Sequence, residues 1–270
     1  MKIICDANIF YSTSFDKLQT TSKAFNLIIT KILVDEIFTN NTWLRNDFGK
    51  GIELLNKIKI IKDNTKLDYY LLQPEDILLT LSGVYSIPLR PTQIYTEENI
   101  NSLIGKRDPK HCEAVELIRR HISRISYESL FPSAIAQLIQ NIENIEEIKK
   151  EARSGKKYFE LTKEFINSIN TTVIQFFSIK VNKYISMVHN LNPLDYIPFG
   201  LSIPADNIAL SIYSAFLYYR ISDTSAKNDQ FDLQYSFYMK PENYIWTKDH
   251  LLIKLFVEQL NIPENLYNKE

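Results

Sequence analysis

Residues 2–10, which read KIICDANIF, decide the fold. Ile3, Ile4 and Cys5 form a short apolar run that predicts a strand buried on both faces of a sheet. Asp6 follows directly, and a carboxylate in that position is costly to remove from water unless a cation or hydrogen bonds stabilise it. The stretch therefore predicts a buried strand that places an acid at the carboxyl edge of the sheet.

The same pattern recurs at residues 244–249, which read YIWTKD. Here another short apolar strand is followed by Thr247 and Asp249. Open α/β sheets bind their ligands in the crevice outside the carboxyl ends of the strands. We therefore expect Asp6 and Asp249 to meet at one edge of a single sheet.

Between these two strands the sequence predicts an α/β domain that is interrupted. Strands and helices alternate in residues 1–62 and 205–270, whereas residues 97–200 have the apolar spacing of a mostly α-helical insertion. Within the first part, this spacing predicts a helix over residues 14–32, and the isoleucines of residues 58–61 predict a second strand. The predicted fold class is α/β, with a parallel sheet flanked by helices.

Further acids are candidates for the same edge of the sheet. Glu36, with Asp35 as an alternative, lies where a helix is predicted to start, and Asp229 and Asp232 are three residues apart on one face of a predicted helix. Sites built from several carboxylates, without His or Cys, select Mg²⁺ or Mn²⁺. Two such ions about 3.5–4 Å apart can activate water and stabilise the leaving oxygen in phosphodiester cleavage.

These motifs resemble those of the PIN-domain ribonucleases. Residues 6–10 match the opening Asp-x-Asn-aliphatic signature of that family, and residues 247–249 match its closing Thr-x-Asp. Asp232 and Glu36 lie where the family keeps its third acid and its helix-borne glutamate. The resemblance covers roughly residues 1–62 and 205–260, and it implies a PIN-like sheet and a metal-dependent endoribonuclease that acts on RNA.

The resemblance also implies roles for individual residues. Four acids would be catalytic. The same four acids and Asp229 would bind the metal ions, and two polar neighbours would orient carboxylates or waters. The four acids are Asp6, Glu36, Asp232 and Asp249, and the two neighbours are Asn8 and Thr247.

Two other functional classes agree with the same residues. A PIN-like module without catalytic activity could bind RNA or a partner protein, and a structure-specific nuclease could use the same metal site on DNA. The insertion carries no motif that separates these alternatives, and homo-oligomerisation or a protein partner remains open.

Charge adds a candidate surface for nucleic acid. The net charge is −1, but residues 100–183 hold 14 basic and 10 acidic residues, against 17 and 22 in the rest of the chain. Lys106, Arg107, Lys156 and Lys157 are therefore candidate phosphate contacts beside an acidic site.

Cysteine content and hydropathy indicate the compartment. The chain has 2 cysteines, which predicts a reduced protein without a disulfide framework. Asp6 interrupts the apolar run near the amino end before a secretory signal could form, and no apolar stretch reaches the ~20 residues of a membrane span. We expect a cytoplasmic protein that does not interact with a membrane.

Overall fold

The computed structural model describes residues 1–39, 49–64, 67–70, 72, 74–83, 131–188, 200–222 and 229–267. Its centre is a sheet of four strands, all of them parallel, flanked by helices. The strands are β1 (Lys2–Cys5), β2 (Asn26–Thr30), β3 (Leu67–Tyr70) and β4 (Asn243–Trp246). Their order in the sheet is β3-β2-β1-β4, which confirms the predicted α/β class.

The described helices fall into an amino-terminal group, a middle group and a carboxy-terminal group. The first group comprises α1 (Ala7–Ser12), α2 (Phe15–Ala24), α3 (Lys31–Thr39), α4 (Gly49–Asn64) and α5 (Pro74–Leu81). The middle group comprises α6 (Phe131–Gln140), α7 (Ile145–Arg153), a 3-10 turn (Tyr158–Glu160) and α8 (Lys163–Val188). The last group comprises α9 (Ile208–Ser222), α10 (Asp229–Gln234) with a 3-10 turn (Tyr235–Tyr238), and α11 (His250–Lys254), which continues as a π-helical turn (Leu255–Gln259) before a last 3-10 turn (Pro263–Asn265).

The strand β1 lies inside the sheet, as its composition predicts. Ile3, Ile4 and Cys5 have no exposed surface, and β1 pairs on one side with β2 and on the other with β4. Ile4 is in register with both Ile28 and Ile245. The first and last strands are therefore adjacent.

The helix predicted over residues 14–32 is wrong in its second half. The helix α2 ends at Ala24, and β2 begins at Asn26. Leu27, Ile28 and Ile29 are all buried, which is what a strand covered on both faces requires. A single residue, Phe25, separates the two elements, so no glycine or proline marks the boundary.

The strand predicted over residues 58–61 is also wrong, because α4 includes these residues. Leu54, Ile58 and Ile61 are buried while Lys59 is exposed, and this spacing of four and three is that of one helical face on the core. The sheet instead takes its remaining strand from β3, which lies beyond residue 62 and was not predicted.

The middle helices pack on the same core as the carboxy-terminal part. The helix α9 contacts α7, α8 and the turns Tyr235–Tyr238 and Leu255–Gln259, and its residues from Ala209 to Tyr218 are almost all buried. A helix that is apolar on every side is expected to be enclosed in this way. Within residues 131–188 all regular structure is helical. Residues 97–130 and 189–199 lie outside the described part, so the insertion over residues 97–200 stays a prediction. In the described part of the chain, every helix is too short or too polar to cross a bilayer.

Candidate active site

The carboxyl ends of β1 and β4 bring two acidic segments together. Cys5 is in register with Trp246, and the Asp6 N–H donates to the Trp246 carbonyl oxygen at 3.0 Å. The chain turns into α1 after Asp6 and into α11 after Asp249, so each acid lies at the point where a strand gives way to a helix. The predicted meeting of Asp6 and Asp249 at one edge of the sheet agrees with this geometry.

Asp6 has no exposed surface and is held by three hydrogen bonds. Its Oδ1 accepts from the Asn8 backbone N–H at 3.2 Å, and its Oδ2 accepts from the Thr247 hydroxyl at 2.6 Å and from the Asn8 amide at 3.4 Å. The first of these bonds also caps α1, as an aspartate at a helix N-terminus commonly does. Asp6 therefore caps a helix and also faces the ends of two strands.

The pKa of the Asp6 carboxyl is raised above its ordinary value. Burial is the main cause, and the nearby negative charge of Asp249 adds to it. The hydrogen bonds from Thr247 and Asn8 act in the opposite direction but do not cancel the effect of burial. This part of the site therefore favours anything that neutralises the Asp6 carboxylate, whether a proton or a cation.

Thr247 connects the two strand-terminal acids. Its hydroxyl donates to Asp6, while its Oγ1 accepts the Asp249 backbone N–H at 2.9 Å. The Asp249 Oδ1 in turn accepts from the Leu252 N–H at 2.9 Å and so caps α11. A buried threonine thus fixes both acids relative to one another, which agrees with the supporting role that the resemblance implies for Thr247.

Glu36 is joined to the same region by a residue that the sequence did not reveal. The Tyr235 hydroxyl donates a short hydrogen bond to the Glu36 Oε2 and accepts from the Ala7 N–H at 3.3 Å. Tyr235 has no exposed surface, and its pKa is raised well above the ordinary value by burial first, and then by the negative charges of Glu36 and Asp6. Tyr235 therefore ties Glu36 on α3 to the start of α1, one residue after Asp6.

The remaining acids are placed less closely. Asp232 is half-buried on α10. The helix α10 packs against α3, which contains Glu36, and against α11, which Asp249 caps. Asp229 begins α10 and Asp35 lies in α3, but the side chains of both are outside the described residues.

Among the described side chains, the acids at the carboxyl edge of the sheet do not form a complete set of metal ligands. Across the residues whose side chains are described, no three of His, Cys, Asp or Glu converge closely enough to hold one ion. The chemistry of the donors nevertheless fits a hard divalent cation, because the groups at this edge are carboxylate, amide and hydroxyl oxygens. The buried Asp6 and the half-buried Asp249 repel one another, and they are the acids that a cation would stabilise most.

The candidate phosphate contacts are located only in part. Lys156 forms an ion pair with Glu151 at 2.9 Å, and Lys157 lies 3.8 Å from Glu258. Glu258 is nine residues after Asp249, which corresponds to roughly 13 Å along a helix. Lys106 and Arg107 lie outside the described residues, and nucleic-acid binding by any of the four stays a prediction.

Comparisons with known proteins give no relative. No protein-family model matches the chain, and neither a curated protein nor a solved structure is similar to it. The resemblance to PIN-domain ribonucleases therefore depends on the motifs at residues 6–10 and 247–249 and on the positions of Asp232 and Glu36 in the sequence.

Proposed function

We propose that the protein is a metal-dependent endoribonuclease of the PIN type. The observation that carries this proposal is the pair of acids, Asp6 and Asp249, fixed by Thr247 at the carboxyl edge of two adjacent parallel strands. Ligand sites of open parallel sheets occur at this edge. The order of the motifs along the chain agrees with that of the family.

In this proposal Asp6 and Asp249 hold Mg²⁺ or Mn²⁺, with Glu36, Asp232 and Asp229 as additional ligands. Bound at such carboxylates, a divalent ion lowers the pKa of water and stabilises charge on phosphodiester oxygens. The protein's own contribution is to fix the ligands before substrate arrives. The Thr247 hydroxyl and the amide and backbone N–H of Asn8 donate hydrogen bonds to Asp6. The Tyr235 hydroxyl donates one to Glu36, and such bonds orient metal ligands.

The burial of Asp6 also has a function in this proposal. A carboxylate without exposed surface has no bulk water to stabilise its charge, so a cation gains more by binding to it than it would at an exposed acid. Because the carboxylates repel a polyanion, affinity for RNA must come from the bound cation and from basic residues elsewhere on the surface.

The test is cleavage of labelled single-stranded and double-stranded RNA and DNA with Mg²⁺, with Mn²⁺ and with EDTA. Asp6→Asn and Asp249→Asn should each abolish cleavage of RNA and weaken Mn²⁺ binding measured by calorimetry. Asp16→Asn, which changes an exposed acid on α2, serves as the matched control and should retain both properties. Cleavage that survives Asp6→Asn, or that continues in EDTA, would refute the metal site.

One observation favours a second candidate function. The described acids do not form a group of three around one point, as a preformed metal site would. A module that binds RNA without cleaving it is therefore the alternative. It predicts RNA binding with no cleavage under any divalent ion and no loss of binding in Asp6→Asn. Cleavage of DNA in preference to RNA would instead assign the third class, a DNA nuclease.

A further inference from the structure

A groove of about 1050 Å³ lies on one face of the sheet toward its amino end. Lys2 of β1 and Asn243 of β4 line it and are in register. Lys2 is four residues before Asp6, a distance of roughly 13 Å along a strand. The groove extends from the amino ends of β1 and β4 to Tyr70, the last residue of β3, but none of the acids proposed for the metal site lines it. Its volume is close to the upper limit for small-molecule sites.

The inner surface of the groove combines an apolar floor with an aromatic wall. Ile28 of β2, which is almost fully buried, contributes to the floor. The half-buried Tyr70 forms the wall, and the buried Tyr238 packs against it, with the two rings edge to face and 5.5 Å between their centroids. The Tyr238 hydroxyl donates to the Leu72 carbonyl oxygen at 2.8 Å, which holds that ring in place. Such a wall offers a surface to a flat or ring-shaped ligand.

The charged side chains that line the groove are mainly basic. Lys2, Lys62 and Lys240 line it together with the acids Asp68 and Glu242. The Asp68 Oδ2 accepts from the Asn26 amide at 2.6 Å, so part of its acceptor capacity is already used. Three ammonium groups around one concave surface favour an anion, and a phosphate has the charge and size to contact more than one of them.

A buried amide supplies a second, independent indication of a ligand. Asn243 lines the groove and is only 4% exposed, yet its Oδ1 has no hydrogen-bond partner among the described residues. On the other side of Lys2, the Asn26 Oδ1 is likewise buried and unpaired within the described part. An unpaired buried acceptor costs free energy. Because the Asn243 Oδ1 lies below the surface of the groove, a ligand hydroxyl or N–H can pair with it and remove that cost only when the Asn243 side chain turns toward the groove.

We propose that this groove binds a small phosphate monoester that also carries hydrogen-bond donors on a ring. The lysines contact the phosphate, the ring lies against Tyr70 and Ile28, and a donor of the ligand pairs with the Asn243 amide oxygen once that side chain turns toward the groove. Both a mononucleotide and a sugar phosphate have this chemistry. The site goes beyond the proposed nuclease activity and does not depend on it, because none of its lining residues is an acid of the proposed metal site.

The experiment is calorimetric titration of the full chain with each 5′-nucleoside monophosphate, with ribose 5-phosphate and with inorganic phosphate. We expect saturable binding of at least one organic phosphate and weaker binding of inorganic phosphate. A nucleotide that binds more tightly than ribose 5-phosphate identifies the ligand as a nucleotide, and equal affinities identify it as a sugar phosphate. If none of the compounds binds saturably, or if inorganic phosphate binds as tightly as the rest, the proposal is overturned.

Two variants and a control locate the binding. Lys240→Ala should weaken binding about tenfold, near the lower end for a hydrogen bond to a charged group. Asn243→Leu should weaken it at least as much while leaving the melting temperature of the free protein unchanged or higher, because the variant removes an unpaired buried acceptor. Lys23→Ala, an exposed lysine on α2, should bind normally. Normal binding by Asn243→Leu, or equal losses in Lys240→Ala and Lys23→Ala, would place the ligand elsewhere and refute the site.

The groove and the proposed nuclease site can fail separately. Asp6→Asn should bind the organic phosphate as the unaltered protein does, since Asp6 does not line the groove. A protein that cleaves no RNA but binds the phosphate ester would refute the nuclease and support the groove. A protein that cleaves RNA but does not bind the phosphate ester would support the nuclease and refute the groove.

Discussion

Replacing Thr247 by valine tests how the two strand-terminal acids are held. Valine has nearly the same shape but no hydroxyl, so the variant loses the 2.6 Å bond to Asp6 and the acceptor for the Asp249 N–H. A hydrogen bond to a charged group contributes about 1.5–3 kcal/mol to stability, and a neutral one about 0.5–1.5 kcal/mol. The free energy of unfolding should therefore fall by about 2–4 kcal/mol at neutral pH.

Urea denaturation measures this loss, and a double-mutant cycle identifies its origin. In an Asp6→Asn background the acceptor of the Thr247 hydroxyl is neutral, so Thr247→Val should cost about 1 kcal/mol less than it does in the unaltered protein. The change should appear in the midpoint of the transition and leave its slope unaltered.

Thr13→Val is the matched control for this experiment. Thr13 is also buried, and its hydroxyl oxygen has no hydrogen-bond partner among the described residues. Losing that hydroxyl should therefore be neutral or slightly stabilising. The reasoning fails if Thr247→Val is as mild as Thr13→Val, or if its cost is the same with and without the Asp6 carboxylate.

Two further predictions concern the same edge of the sheet. The raised pKa of Asp6 means that its protonated form favours the folded state, so the stability it contributes is present below the unfolded value of about 3.9 and is lost as pH rises through the folded value. The free energy of unfolding of Asp6→Asn relative to that of the unaltered protein should accordingly rise with pH across that window, as measured by urea denaturation. A difference between the two proteins that does not depend on pH would contradict the burial effect. Tyr235→Phe removes the donor to Glu36 and should weaken Mn²⁺ binding in calorimetry as well as lowering stability. Tyr158→Phe, which removes a buried hydroxyl that donates to Asn170 at 3.1 Å, should lower stability alone, and equal effects on Mn²⁺ would argue against a positioning role for Tyr235.

The sequence predicts the two strands that build the site because each combines a continuous apolar run with a polar stop. The β1 and β4 strands are short and mostly buried, and each leads into an acid that caps a helix: Asp6 follows β1 directly, and Asp249 follows β4 after two residues. The β2 strand has the same apolar run, but only Phe25 separates it from α2, and its isoleucines also continue the spacing of that helix.

Residues 58–61 show the opposite ambiguity. The isoleucines favour a strand by local propensity, whereas the packing of Ile58 and Ile61 on the core decides for a helix. The β3 strand, LDYY, has only four residues and includes a charge, which leaves no periodic pattern to detect.

The candidate site divides in the same way. Asp6, Asn8, Thr247 and Asp249 form local motifs, and hydrogen bonds connect them in the structure. Tyr235 gives no such signal, because it is one of 16 tyrosines and its contact with Glu36 crosses 199 residues. Contacts of this range depend on how α3 and the turn Tyr235–Tyr238 pack, which no short motif encodes.

The adjacency of the first and last strands has a consequence for biosynthesis. Asp6 and Thr247 are 241 residues apart, and at a translation rate of 5–20 residues per second roughly 12–50 s separate their synthesis. During this interval the backbone edge of β1 that β4 later covers is exposed to solvent, and Asp6 lacks the hydrogen bond from the Thr247 hydroxyl. The Asp6–Thr247–Asp249 network is therefore assembled only after β4 has been synthesised. A ribosome that stalls before Asn243 leaves a product with an unpaired edge on β1 and without this network.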